Sequence, residues 1–370
     1  MKKKLAIIRA CNSQIPYVEK AKEMSVETHC FSWDKEGFNH CKGIADFFHP
    51  ISILEKEQIL EKCKEIKIDG VISMSDNAMA TVAFVAQGMG LIGNNYEDSL
   101  IAISKYSARQ AYYKHNVGSP RFVLAQEGVD LTGLKYPLIV KPTDGRSAVG
   151  VIKVEEENDL QNAVKRAREL SFIKEVIIEE FIDGVEVSVD TISWNGKHYI
   201  LAIKDKEFAK TTEEFTLLAE HYPSQLSPEI QEKIKNETRK ALDAINFKYG
   251  AAVTQFKVTD SGDVFSIEIN PRMAGDFAYK KMELSYGYDY RKGAIDIALG
   301  QFEEPVFIHN KYSGQYFLHR ETDWVRHVIE NKNNDADIID AKFYENDYYG
   351  DIKGYFIYQS EQKRRWEPAK

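Results

Sequence analysis

Short apolar runs and helical apolar periods alternate over the first 95 residues. LAIIRA (5–10), VETHCFSW (26–33) and DGVISMS (69–75) read as strands. IPYVEKAKEM (15–24), KEQILEKCKEI (56–66) and NAMATVAFVAQGMG (77–90) repeat their apolar positions at helical spacing. Strands alternating with helices predict a parallel sheet. GNNYEDS (93–99) then turns the chain into SLIAISKYSARQAYYKHN (99–116), which predicts one helix stopping near Gly118-Ser119-Pro120.

Beyond that point the period shifts toward two. RFVLAQ (121–126), YPLIVKP (136–142), VGVIKV (149–154) and EVIIEEFI (175–182) read as strands, with a charged helix over 156–171. GVEVSVDTISWNGKHYILAIKDK (184–206) alternates apolar and polar around Asn195-Gly196, a strong hairpin signal. TTEEFTLLAEHYPSQLS (211–227) has few regular features and reads as a long loop, and 229–247 as an amphipathic helix. GAAVTQFKVTDSGDVFSIEINPR (250–272) predicts a second hairpin turning at Ser261-Gly262. From about residue 302, Tyr-rich short strands around VRHVIENK (325–332) predict a small third region packed on the second.

Composition narrows the function classes. A chain of 370 residues exceeds one small core, so two or three subdomains are expected. No run reaches 18 apolar residues, which argues against a membrane span. The opening MKKKLAIIRA reads as a first strand rather than a leader, because polar CNSQ follows at once. A net charge of −8 leaves no basic footprint for nucleic acid. Cys11, Cys30, Cys41 and Cys63 match no zinc spacing and read as free thiols of a cytoplasmic protein. The turn after the first strand, RACNSQIP, contains no glycine, which excludes the dinucleotide fingerprint.

Three stretches carry candidate chemistry. In VKPTDGRSAVGV (140–151) Lys141 precedes Gly145, Arg146, Ser147 and Gly150, and a strand follows. A Walker loop would place its lysine last and lead into a helix. The reading is a glycine hairpin over phosphates, with the lysine as point charge; a plain surface turn fits those residues equally. In SIEINPR, Glu268 and Asn270 lie two apart on one strand and share a face, with Gln255 on the preceding strand. One carboxylate with amide oxygens suits Mg²⁺ shared with phosphates, and Arg272 adds a fork for a phosphoryl group. In VIIEEFIDGVE, Glu179 and Glu186 flank a strand-to-turn transition, a pattern that ordinary strand–turn–strand segments share.

Together and in this order, ISKYSARQAYYKHNVGSPRF, YPLIVKPTDGRSAVGV, VIIEEFIDGVEVSVD, FSIEINPRMAGDF and LSYGYDYRKGAIDIALGQ resemble the ATP-grasp superfamily, over roughly residues 1 to 301. The resemblance is to its carboxylate–amine ligase branch, including amino-acid ligases and the carbamoyl phosphate synthetase-like domain. It implies an α/β plus α+β architecture: a Rossmann-like parallel-sheet pre-domain (1–100), a two-lobed ATP-grasp domain (101–301) and a small C-terminal region (302–370). It also implies roles. Lys105 and Lys141 resemble the two phosphate lysines, and Thr143 to Gly150 the flap over the triphosphate. Glu179, Phe181 and Ile182 resemble the adenine hinge, with Glu186 on the ribose. Gln255, Glu268 and Asn270 resemble ligands of Mg²⁺ (or Mn²⁺), and Arg272 resembles the arginine that serves the transferred phosphoryl and the substrate carboxylate. Gln255 stands where many relatives carry an acid, and the glycine-free first turn is also a departure.

The implied reaction is amide formation through an acylphosphate, with ATP, a small carboxylate and an amine as partners. An amino acid is the favoured carboxylate; a carrier-tethered substrate and a homodimer stay open. A hydroxyl phosphotransferase and a non-catalytic ATP-binding module are the rival readings. Glu220 and His221 are candidates to approach substrate or to serve structure. Asp276 is a candidate for a substrate ammonium or for a helix N-cap.

Overall fold

The structure is a computed structural model, described over residues 2–126, 131–145, 149–209, 216–344 and 352–367. It opens with a parallel sheet of order β3-β2-β1-β4, made of β1 (Lys4–Ile8), β2 (Glu27–Phe31), β3 (Phe47–His49) and β4 (Gly70–Ile72). Helices α1 (Ile15–Glu23), α2 (Lys56–Ile66) and α3 (Met79–Met89) accompany it. Strand β1 is covered on both faces. Leu5 and Ile7 pack with Tyr17 and Val18 of α1, while Ala6 and Ile8 pack with Ile59 of α2 and Val85 of α3. A strand buried on both sides has to read as a continuous apolar run. Strand β3 was not expected, because three residues are too few to show a period.

The helix expected over 99–116 is two helices, α4 (Tyr96–Ile103) and α5 (Lys105–Lys114). Ser104 breaks them with an extended backbone, φ −101° and ψ 120°, and its side chain accepts a hydrogen bond from the Ser107 N–H at 3.3 Å. A serine N-cap supplies a partner for an otherwise orphaned helix-end donor, so a new helix starts within an unbroken apolar pattern. The break leaves Lys105 at the head of α5, with its own N–H on Thr143 O at 2.9 Å.

Two antiparallel sheets follow. The smaller has order β5-β8-β6-β7, from β5 (Phe122–Leu124), β6 (Leu138–Pro142), β7 (Ile152–Val154) and β8 (Val176–Glu180). The apolar stripe of α6 (Glu157–Leu170), Leu160, Ala163, Val164 and Ala167, packs on Val140, Val154 and Ile178. The larger sheet has order β13-β12-β9-β10-β11-β14-β16-β15. Its strands are β9 (Val185–Trp194), β10 (Lys197–Phe208), β11 (Leu217–Tyr222), β12 (Gly250–Val258), β13 (Val264–Asn270), β14 (Tyr312–Leu318), β15 (Ile338–Phe343) and β16 (Gly354–Ser360). Helices α7 (Pro228–Ala244), α8 (Ala278–Tyr286), α9 (Tyr290–Ala298) and α10 (Trp324–Glu330) complete the described residues.

Part of the expected loop over 211–227 is therefore a strand. Strand β11 lies between β10 and β14, and a partner so far downstream leaves no local signature. The Tyr-rich strands at the C-terminus extend this same sheet through β14 and β16. Both expected hairpins are present. Asn195 and Gly196 each carry positive φ (50° and 78°), as a tight two-residue turn requires.

Candidate functional site

The short segment 181–184 carries the chain from β8 of the smaller sheet to β9 of the larger, so residues around it face the seam between them. Gly184 is required at that crossing. Its φ is 148°, and a Cβ there would sit 2.2 Å from Val258 O. The larger sheet offers the seam a polar face, set by the two-residue period of its strands. Val187, Val189, Ile203, Phe256 and Val258 pack on Ile234 of α7. The residues between them, Glu186, Lys204, Lys206, Gln255 and Lys257, point the other way.

Register explains the contacts on that face. Gln255 is directly opposite Glu268, and its Nε2 donates to Glu268 Oε2 at 3.1 Å. Glu186 is flanked across adjacent strands by Lys206 and Lys257. It is hydrogen-bonded to Lys206 and 3.6 Å from Lys257 Nζ. Asn270 ends β13 two residues beyond Glu268.

From the smaller sheet and α5 come the cations. Lys105 Nζ lies 3.0 Å from Glu268 Oε1 and donates to Gly145 O at 2.5 Å. Lys141 Nζ lies 2.6 Å from Glu179 Oε2. Glu179 is buried and also contacts Arg109 Nε at 2.7 Å, a charge contact not aligned as a hydrogen bond. Arg109 is anchored in turn on Ile267 O at 2.7 Å. Arg272 forms a fork on Asp76, at 2.8 and 2.9 Å, and so ties the large sheet to the end of β4.

The electrostatics follow from this packing. Burial alone would raise the Glu268 carboxyl, but Lys105 first, then Lys141 and Arg272, bring it down to about 2. Burial would likewise raise Glu179, and Arg109 with Lys141 outweigh it. Lys141 is held below its ordinary value by burial, with Arg109 and Lys105 repelling its charge. Three cations crowd around two carboxylates, an arrangement that an arriving polyanion would relieve.

The sequence-predicted residues Lys105, Gly145, Glu268 and Asn270 line one small cavity of about 20 Å³, together with Asp76 and Arg109. Lys141 joins through Glu179, and Arg272 through Asp76. Phe181 and Ile182 lie on the connecting segment, with Lys153 over the Phe181 ring at 4.4 Å. Gly150, at φ 77°, lies against Pro142 and Leu170. Arg146 and Ser147 lie outside the described residues, as does the middle of the expected flap. A larger cavity of about 70 Å³ lies behind Pro271 and Met273, against Val82 and Ala83 of α3. Its lining is mostly apolar, with Arg272, Asp98 and Asn94 also on its wall.

Residues 134–280, which span β6 to the start of α8, match the ATP-grasp domain family. The chain contains an ATP-grasp domain. Relatives and neighbours agree. The carbamoyl phosphate synthase large chain of Thermoanaerobacter is 27% identical over 263 residues, 69% of this chain and 24% of its own length. Alanine–anticapsin ligase of Bacillus amyloliquefaciens is 24% identical over 302 residues, 71% of this chain and 63% of its own. The chain thus spans less than two thirds of either relative. The crystal structure of L-amino acid ligase from Bacillus licheniformis superposes with a TM-score of 0.81 at 21% identity, over 98% of this chain and 94% of that one. At that identity the likeness is one of fold.

Within the ATP-grasp domain, the residues whose chemistry could hold a metal are Glu268 and the amides of Gln255 and Asn270, with Gln255 donating to Glu268 at 3.1 Å. Among the described residues no group of three His, Cys, Asp or Glu side chains is placed to hold a metal ion. One carboxylate with amides fits a cation that phosphate oxygens also bind, rather than a protein cage. Three candidates carried a structural reading beside a functional one, and for Asp276 that structural reading fails. Asp276 caps no helix: Phe277 occupies the N-cap of α8, and no side chain caps it. Glu220 is buried and ion-paired to Lys204 at 3.2 Å and Lys281 at 2.6 Å, while His221 bonds Tyr358 Oη at 2.8 Å. Arg109, Asp76, Lys206 and Lys257 were not foreseen. The signal for Asp76 was its place just after a parallel strand, where such sheets bind ligands.

Proposed function

We propose that the protein is an ATP-dependent carboxylate–amine ligase that activates its acid as an acylphosphate. The observation that carries this reading is the convergence of Lys105, Lys141 and Glu268 at the seam of the two sheets, with Arg272 joined through Asp76. On ATP binding, Lys105 and Lys141 exchange their contacts with Glu268 and Glu179 for phosphate oxygens. Phe181 and Ile182 border the adenine, and Glu186 accepts from the ribose hydroxyls. Glu268 and Asn270, with Gln255 beside them, would hold Mg²⁺, which when bound would supply charge neutralisation at the transferring group.

A carboxylate oxygen of the acid attacks the γ-phosphorus and ADP leaves. The amine nitrogen then attacks the acyl carbon and inorganic phosphate leaves, carrying that carboxylate oxygen. Arg272 and the lysines act by position and charge, and no protein nucleophile is required. An amino acid is the favoured acid, supported by the amino-acid ligases among the relatives and by Asp276. That carboxylate has no hydrogen-bond partner among the described residues; burial and the nearby Glu220 raise its pKa, which suits it to an ammonium. Incubating the enzyme with Mg-ATP, hydroxylamine and a panel of amino acids and small acids tests the reading. Hydroxamate with ADP is the expected result. ADP with a phosphorylated hydroxyl product and no hydroxamate would favour a phosphotransferase instead.

A further inference from the structure

The strand order β3-β2-β1-β4 reverses direction between β1 and β4. From β1 the chain moves outward to β2 and β3, then crosses back to lay β4 on the opposite side. At such a point the connections diverge and leave a crevice above the carboxyl ends of the two strands, where open parallel sheets take their ligands. Arg9 follows β1 there, and Ser75 and Asp76 follow β4.

Arg9 has φ +64°, a left-handed conformation that a side-chained residue adopts only when its surroundings impose it. The backbone is pinned: the N–H groups of Arg9 and Ala10 both donate to Phe31 O, at 2.8 and 3.3 Å. The half-buried guanidinium donates through Nη1 to Ser75 Oγ, a neutral acceptor. Ser75 is itself held by its N–H on Ser73 Oγ at 3.1 Å, and Ser73 Oγ on Ile8 O at 2.8 Å. A guanidinium has five N–H donors. Arg9 has no ion pair among the described residues, in contrast to Arg272, which Asp76 neutralises next door. A rigid, uncompensated cation therefore stands in the ligand crevice beside the Asp76–Arg272 pair.

We infer that Arg9 binds an oxyanion, a carboxylate or a phosphate, carried by a substrate in addition to the carboxylate that is activated. The inference rests on the ligase reading and names its substrate class: the acid or the amine bears a second, non-reacting anionic group. Arg9 is on this account a specificity-determining residue, and the glycine-free turn after β1 exists to present it.

Isothermal titration of the full-length protein, with a non-hydrolysable ATP analogue present, tests this with glutarate, butyrate and inorganic phosphate as probes. The informative variant is Arg9→Asn, because asparagine tolerates the left-handed backbone and removes the charge. Ser75→Ala, which keeps the charge and the turn, is the second. Wild type is expected to bind glutarate or phosphate at least tenfold more tightly than butyrate. Arg9→Asn should lose that preference tenfold or more, Ser75→Ala two- to fivefold, with affinity for the ATP analogue unchanged within twofold in both. Tighter glutarate identifies a carboxylate and tighter phosphate a phosphate. Equal affinities of wild type and Arg9→Asn, or no preference for either anion in wild type, would overturn the inference. Hydroxamate trapping reports separately: its failure with anion binding intact would remove the ligase reading and leave the anion site standing.

Discussion

Glu268 is the residue on which the site's charge balance turns. It faces Gln255 across the hairpin and Lys105 across the seam, and it lies among three cations that draw its pKa down to about 2. The unfolded chain, with an ordinary carboxylate near 4.5, takes up the proton first as pH falls. The stabilising contribution of Glu268 is therefore complete above pH 4.5 and lost as pH falls toward 2. Calorimetry at pH 6 and pH 3.5 should show a smaller acid-induced drop in Tm for Glu268→Gln than for wild type. In turnover, Glu268→Ala should abolish activity while weakening nucleotide binding only partly, because Lys105 and Lys141 remain to hold phosphate. Near-normal turnover in that variant would remove Glu268 from the metal site. Asp76→Ala makes a complementary prediction. Freed from its fork, Arg272 loses its fixed orientation, so kcat should fall roughly tenfold or more with the KM for ATP little changed, as expected for a lost positioning contact.

At the scale of elements, two local devices aim these side chains. The Ser104 break starts α5 at Lys105 and so points the lysine at Gly145 O and Glu268. Ser104→Ala should cost about 1 kcal/mol of stability and raise the KM for ATP, measured by denaturant unfolding and steady-state kinetics. Gly184 lets the chain cross between sheets hard against β12. Gly184→Ala should destabilise by roughly 1–3 kcal/mol through overpacking. Gly196→Ala, also at positive φ but with nothing within 4 Å of a new Cβ, should cost only about 1 kcal/mol. Equal losses in the two variants would argue that the close approach to Val258 is unimportant. These devices show where the sequence is silent. The amphipathic helices and the two hairpins were legible because period and turn chemistry are local. The split at Ser104 lay inside one continuous helical pattern, and β11 needed β14, which no neighbouring residue announces.

At the scale of the molecule, a parallel sheet and two antiparallel sheets bring their ends to one place, and residues far apart in sequence become partners there. Glu268, Asn270 and Arg272 could be picked out in the chain because they follow one another through a strand end in a distinctive local pattern, whereas Lys141 needed the other motifs beside it. Arg109 and Asp76 could not. Each is an ordinary charged residue in its own segment, and only the fold sets Arg109 on Glu179 and Asp76 on Arg272. The Asp76–Arg272 fork also joins the parallel sheet to the ATP-grasp domain, so whatever fills the crevice at Arg9 lies beside the reacting centre. The central claim is that this assembly moves the γ-phosphate of ATP onto a carboxylate. With the acid that hydroxamate trapping identifies, labelled with ¹⁸O in its carboxyl group, the released inorganic phosphate can be read by mass spectrometry. One ¹⁸O atom per phosphate, appearing in step with amide product, is the predicted result; phosphate free of label would contradict the account.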